Sequence, residues 1–185
     1  MESLVKSVHV VEEVEIPEGV KISIEGMKVV VEGPKGKIEK DFSHTRNVAI
    51  SLSDGKVVVE SYFARREQKA LVGTIAAHIR NMITGVQKGY RYKLKIISSH
   101  FPISLEQKGD VILVKNFLGE KSPRKARIMP GVKVKIEKED VIVEGLDIEA
   151  VGQTAANLEQ ATKVKEYDRR VFMDGIYIYE KGEAK

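Results

Sequence analysis

The chain has 185 residues, 42% hydrophobic and 31% charged, with no Cys; it can pack one domain or two small ones and excludes disulfides and thiolate metal sites. Its 31 Lys and Arg against 27 Asp and Glu give a net charge of only +4. That balance conceals segregation: residues 65–135 hold 16 bases and 4 acids, residues 1–64 hold 8 against 11, and residues 136–185 hold 7 against 12.

No apolar run approaches the roughly 20 residues that span a bilayer. The opening Met1–Lys6 lacks the basic start and long apolar run of a signal peptide, so a soluble intracellular protein is expected. Lys and Glu dominate the charged set, a composition of heat-adapted proteins.

Residues 8–16 predict a strand ended by Pro17-Glu18-Gly19. Residues 21–25 and 29–32 form a hairpin across Gly26-Met27-Lys28, and Gly33-Pro34-Lys35-Gly36 turns into a strand over 37–42. Residues 48–52 and 56–60 flank Ser53-Asp54-Gly55, where Asp-Gly tolerates the positive φ of a tight hairpin. The period then changes. Val72, Ile75, Ala76, Ile79 and Ile83 make one apolar stripe of a helix, with Gly85 placed as its C-terminal cap.

The pattern repeats from Tyr90. Ile103-Ser104-Leu105-Glu106 matches Ile22-Ser23-Ile24-Glu25, and the hairpin of 132–144 matches that of 48–60. Gly152-Gln153-Thr154-Ala155-Ala156 matches Gly73-Thr74-Ile75-Ala76-Ala77 at an offset of 79 residues. The expected fold class is α+β: two tandem duplicated lobes, each an antiparallel sheet with one helix packed on one face. The first repeat covers 1–86; the second covers 87–185 and ends in a C-terminal appendage. The appendage, residues 159–185, has no counterpart in the first copy and predicts a hairpin turning at Asp174-Gly175. The hairpin-to-helix connection is five residues longer in the first copy and carries Arg65 and Arg66.

Four scattered histidines have no metal-ligand spacing, and the adjacent pairs Ser43-His44 and Ser99-His100 point apart on strands. Gly33-Pro34-Lys35-Gly36 lacks the Gly-Lys-Ser/Thr ending of a phosphate loop. No catalytic constellation and no cofactor pattern emerges, so an enzyme is not expected. Binding is. From Gln68 to Leu105 there is no acid, and from Lys115 to Lys135 seven bases face only Glu120. Such a span asks for a polyanion. Lys121, Arg124, Lys125 and Arg127 fall in the connection between the second copy's strands, expected as a loop displaying its bases. In the appendage Lys163, Lys165, Arg169 and Arg170 interleave with Tyr167, Phe172, Tyr177 and Tyr179, suiting phosphate contacts with stacking. Arg91, Lys93 and Lys95 alternate onto one strand face, either RNA-facing or simply exposed.

The duplicated unit, together with Arg170-x-Phe172-x-Asp174-Gly175-Ile176-Tyr177, resembles the L6 family of large-subunit ribosomal proteins, and residues 160–181 look like its archaeal and eukaryotic branch. The resemblance implies a non-catalytic cytoplasmic protein lodged on large-subunit ribosomal RNA, mainly through the second lobe. Its position would be between the stalk base and the sarcin–ricin loop, beside neighbouring ribosomal proteins and translation GTPases. It supports Lys115, Lys121, Arg124, Lys125, Arg127, Lys163, Lys165, Arg169, Arg170, Gly175 and Tyr177 as RNA contacts and is less decisive for Arg65, Arg66 and Lys69. A free-standing RNA adaptor or chaperone with the same fold, or a module that binds an acidic protein, shares the charge pattern.

Overall fold

The computed structural model describes residues 7–165, 167–168 and 170–184, and the chain divides into two compact units between Lys88 and Gly89. The first unit runs β1 (Ser7–Glu15), β2 (Lys21–Glu25), β3 (Lys28–Gly33), β4 (Gly36–Asp41), β5 (Ala49–Ser53), β6 (Lys56–Ala64) and α1 (Arg66–Gln87). The second repeats the order with β7 (Tyr90–Ile97), β8 (Ser104–Lys108), β9 (Val111–Lys115), β10 (Arg124–Arg127), β11 (Val132–Glu137), β12 (Asp140–Gly145) and α2 (Ile148–Ala161). It then adds β13 (Gly175–Glu183).

The duplication is the one the repeat predicts, with a refinement. Each unit divides its strands between two antiparallel sheets rather than one: β1-β6-β5 and β2-β3-β4 in the first, β11-β12-β7-β13 and β10-β9-β8 in the second. Each helix packs against strands of both its sheets, closing a separate core. Asp54 and Gly55, with φ of 47° and 75°, supply the left-handed turn that joins β5 to β6.

In α1 the whole predicted stripe is buried, and Met82, Gly85 and Val86 extend it. Gly85 lies inside the helix rather than at its end; Lys88 is the C-cap and Gly89, at φ 75°, follows it. The Gly33–Gly36 turn explains the extra half-turn. The Lys35 N–H donates to the Val86 carbonyl (3.0 Å), and the Lys35 ammonium reaches the Lys88 carbonyl, satisfying orphan acceptors where the helix dipole is negative. A Cβ on Gly33 would lie 2.7 Å from Val86 Cγ2, so only glycine allows this approach. The surplus between hairpin and helix in the first copy is also not a loop. It lengthens β6 to Ala64, paired with β1 through Ser61↔Val10 and Tyr62↔His9.

The C-terminal segment departs most from expectation. Instead of a hairpin beside the lobe, β13 pairs with β7 (Ile176↔Ile96, Ile178↔Leu94) and becomes the fourth strand of the second unit's larger sheet. Ile176 is fully buried in that core. β7 would otherwise be an open edge, as β1 is in the first unit, and β13 covers it.

Candidate nucleic-acid interface

The first unit joins β3 to β4 with Pro34 and Lys35 alone, whereas the second spends residues 116–123 between β9 and β10. This loop is folded, not slack. Asn116, Leu118 and Gly119 take φ of 58°, 49° and 77°, Phe117 is buried, and the Asn116 amide donates to the Pro102 carbonyl (3.0 Å). Residues 124–127, expected in a loop, form β10 instead, because Arg124 and Ala126 alternate inward while Lys125 and Arg127 face solvent. β10 is the edge of its sheet, and α2 holds it: Asn157 donates to the Arg127 carbonyl (2.8 Å), and the Thr154 hydroxyl accepts from the Met129 N–H (3.0 Å).

Arg124 is spent inside the lobe. Its Nε and Nη2 form a two-pronged pair with Glu120 at 2.8 and 2.5 Å, and Nη1 donates to the carbonyls of Ala161 (3.0 Å) and Lys163 (3.1 Å). The guanidinium lies 4.4 Å above the Phe117 ring. One side chain thus ties the loop to the C-terminal end of α2, where cations are favoured. Hydrogen bonds from Arg124 outweigh partial desolvation and hold the Glu120 carboxyl below its ordinary value, with Lys165 adding attraction.

Around this tie the remaining bases point outward. Lys121, Lys125, Arg127, Lys163 and Arg170 are exposed and form no ion pair among the described residues, and Lys165 is exposed beside Glu120. Lys163 and Tyr177 line one open depression of about 290 Å³ with Thr162 and Val164. Lys115 is different: its ammonium is paired with Glu106, whose carboxyl that hydrogen bond lowers despite desolvation. Gly175 is buried, and a Cβ there would sit 3.1 Å from two ring carbons and the hydroxyl oxygen of Tyr177, so it acts on this surface through Tyr177. Arg169 lies outside the described residues.

The segment between α2 and β13 is pinned at several points. Thr162, buried after α2, accepts from the Ile176 N–H (2.9 Å). Asp168 accepts from the Arg170 N–H at 2.9 Å through its side chain and from Phe172 N–H at 2.9 Å through its carbonyl, making a tight turn. Tyr167, Phe172 and His100 follow one another in ring contact, with centroids 4.7 and 4.5 Å apart. Asp174, 1% exposed, accepts from the Ser99 and His100 N–H groups (2.6 and 3.1 Å) and from His100 Nδ1 (2.8 Å). Burial opposes its charge, yet bonds from the His100 ring and from the two N–H groups outweigh burial and keep its carboxyl below the ordinary value.

The bases of β7 need no polyanion. Arg91 pairs with Glu144 (2.6 Å), Lys93 with Glu180 (2.8 Å), and Lys95 with Glu139 (3.0 Å) and Asp140 (3.6 Å). Hydrogen bonds donated to Glu180 and Glu139 push the Lys93 and Lys95 ammonium groups above their ordinary values. The acidic C-terminal stretch therefore neutralises part of the basic middle, and positive charge remains concentrated on β10, its loop, Lys163, Lys165 and Arg170. In the first unit Arg65, Arg66 and Lys69 are exposed at the start of α1 and also lack ion pairs among the described residues.

A sequence profile described as Ribosomal protein L6 matches the chain twice, over residues 16–89 and 101–175. The chain is 66% identical over 178 residues to the large ribosomal subunit protein uL6 of Aeropyrum pernix, covering 96% of this chain and 98% of that protein. It is 61% identical to the uL6 protein of Staphylothermus marinus, covering 98% and 100%. With the uL6 protein of Saccharolobus solfataricus identity is 51%, over 92% and 94%.

Proposed function

The chain belongs to the ribosomal protein L6 family, and from that premise we propose that it is a structural constituent of the large ribosomal subunit in the cytoplasm, gripping large-subunit ribosomal RNA chiefly with its second lobe. The observation that carries this assignment of the grip is the residue of unpaired charge. After internal ion pairs have consumed Lys115, Arg124 and the β7 bases, Lys121, Lys125, Arg127, Lys163, Lys165 and Arg170 still present cations without a bonded acid. Lys125 and Arg127 are held in register by β10, so they meet phosphates at fixed spacing. Tyr177, supported by Gly175 and beside Lys163, offers a ring to a sugar or base. Arg124 sets the shape of the loop, and Arg169 is proposed as a further contact in the same segment.

The role is architectural: phosphate neutralisation supplies affinity and a fixed loop reads RNA shape. The RNA held is that of the factor-binding region, between the stalk base and the sarcin–ricin loop, with neighbouring ribosomal proteins and docking translation GTPases close by. Changing Lys121, Lys125 and Arg127 together to Ala is expected to weaken binding to large-subunit RNA at least tenfold. The slope of log affinity against log salt should fall by about three, roughly one per lost phosphate contact. An unchanged slope in a filter-binding or fluorescence titration series removes β10 and its loop from the interface.

A further inference from the structure

The first lobe holds a patch that the second-lobe grip does not use. β6 runs past the end of β5, and over Ser61–Ala64 it pairs with β1 alone. There Phe63 adopts a left-handed φ of 52°, a conformation uncommon for a bulky residue, and its side chain is 73% exposed. Such an outlier is held by its surroundings and points to use rather than to packing. Asn47, opposite, is also left-handed (φ 61°), its carbonyl accepting from the buried Ser61 hydroxyl at 2.5 Å. Tyr62, 60% exposed, lies flat on His9, with centroids 4.4 Å apart and planes 5° from parallel. Asn47, Tyr62, Phe63, Arg65 and Gln68 line one open depression of about 240 Å³.

We propose that this patch takes an unpaired nucleotide of ribosomal RNA, its base against Phe63 and Tyr62 and its phosphates on Arg65 and Arg66. Two exposed rings give π-faces for any base, and Arg offers a planar fork to phosphate. Charge selects RNA over an acidic protein strand only together with the rings, and both features meet here. Between Glu60, which is bonded to His9, and Glu106 the sole acid is Glu67, while Arg65, Arg66 and Lys69 carry no ion pair among the described residues. The lengthened β6 that exposes this patch has no equivalent in the second copy, where β12 ends at Gly145, two residues before the N-cap of α2.

This inference rests on the ribosomal reading above, and its test separates the two. Full-length chains bearing photoreactive p-benzoylphenylalanine in place of Phe63, or in place of Lys121, are incorporated into large subunits in cells and irradiated. Both positions are expected to form adducts with ribosomal RNA. Adding Arg65→Glu and Arg66→Glu should reduce the adduct at position 63 more than tenfold and leave that at 121 unchanged. RNA adducts at 121, with a protein adduct or none at 63, overturn this inference alone. RNA adducts at neither position overturn the second-lobe grip as well.

Discussion

Replacing Arg124 with Ala is expected to cost the second lobe about 3 kcal/mol and to lose most of its RNA affinity as a consequence. The residue looks like a phosphate contact in the sequence, but its fork is filled by Glu120 and by the carbonyls of Ala161 and Lys163. Removing it takes the donor from two carbonyls near the end of α2, frees the half-exposed Glu120 from the loop and uncovers Phe117. A charge-assisted hydrogen bond contributes about 1.5–3 kcal/mol, and several are lost together. Arg124→Lys keeps the charge but cannot span both partners, so it should recover only part of the stability. Denaturant melts of both variants, with salt titrations beside them, separate the roles. A purely phosphate-contacting Arg124 would leave the melt untouched and reduce the salt slope by about one.

Asp174→Ala is expected to destabilise the second lobe by about 3 kcal/mol, because a buried carboxylate holds the turn after β7 through three hydrogen bonds. The same group makes stability depend on pH in a fixed direction. Its folded-state value is depressed, so its contribution is fully present above the unfolded value of about 3.9 and is lost as pH falls through the lower folded value. Glu120 acts in the same sense. Acid titration of the unfolding free energy should therefore decline below about pH 4, and less steeply in Asp174→Asn, which keeps the shape without the titrating charge. Amide exchange at Ser99 and His100 should accelerate in Asp174→Ala. Protection there equal to the parent's would mean the carboxylate does not hold the turn.

These two residues also mark what the sequence could and could not disclose. The duplication and both helices were legible because apolar periodicity, an Asp-Gly turn and a repeated Gly-x-x-Ala-Ala-type helix face are local signals. The use of charge was not. Glu120 in the loop and Arg124 at the start of β10 lie four apart outside any helix, where that spacing carries no pairing rule, and the partners of Arg91, Lys93 and Lys95 are 44 to 87 residues away in the chain. His100 reads as an idle residue beside Ser99 until β13 brings Asp174 to it. The C-terminal strand reads as half of a hairpin because nothing in the first copy corresponds to it and its partner, β7, is the opening strand of the second lobe, at the far end of that lobe's sequence. Phe63 shows the opposite limit. Its surplus segment was visible as an insertion, but its left-handed backbone and exposure belong to the folded chain alone.

The most direct test of the central claim is sedimentation of lysate through a magnesium-containing gradient, before and after a high-salt wash. The parent chain and the chain with Lys121, Lys125 and Arg127 changed to Ala are followed side by side. The parent should stay in the large-subunit peak after the wash, and the triple variant should be released by it. A parent chain found at the top of the gradient, or stripped by modest salt, would contradict a resident structural role and favour an RNA adaptor that exchanges between partners.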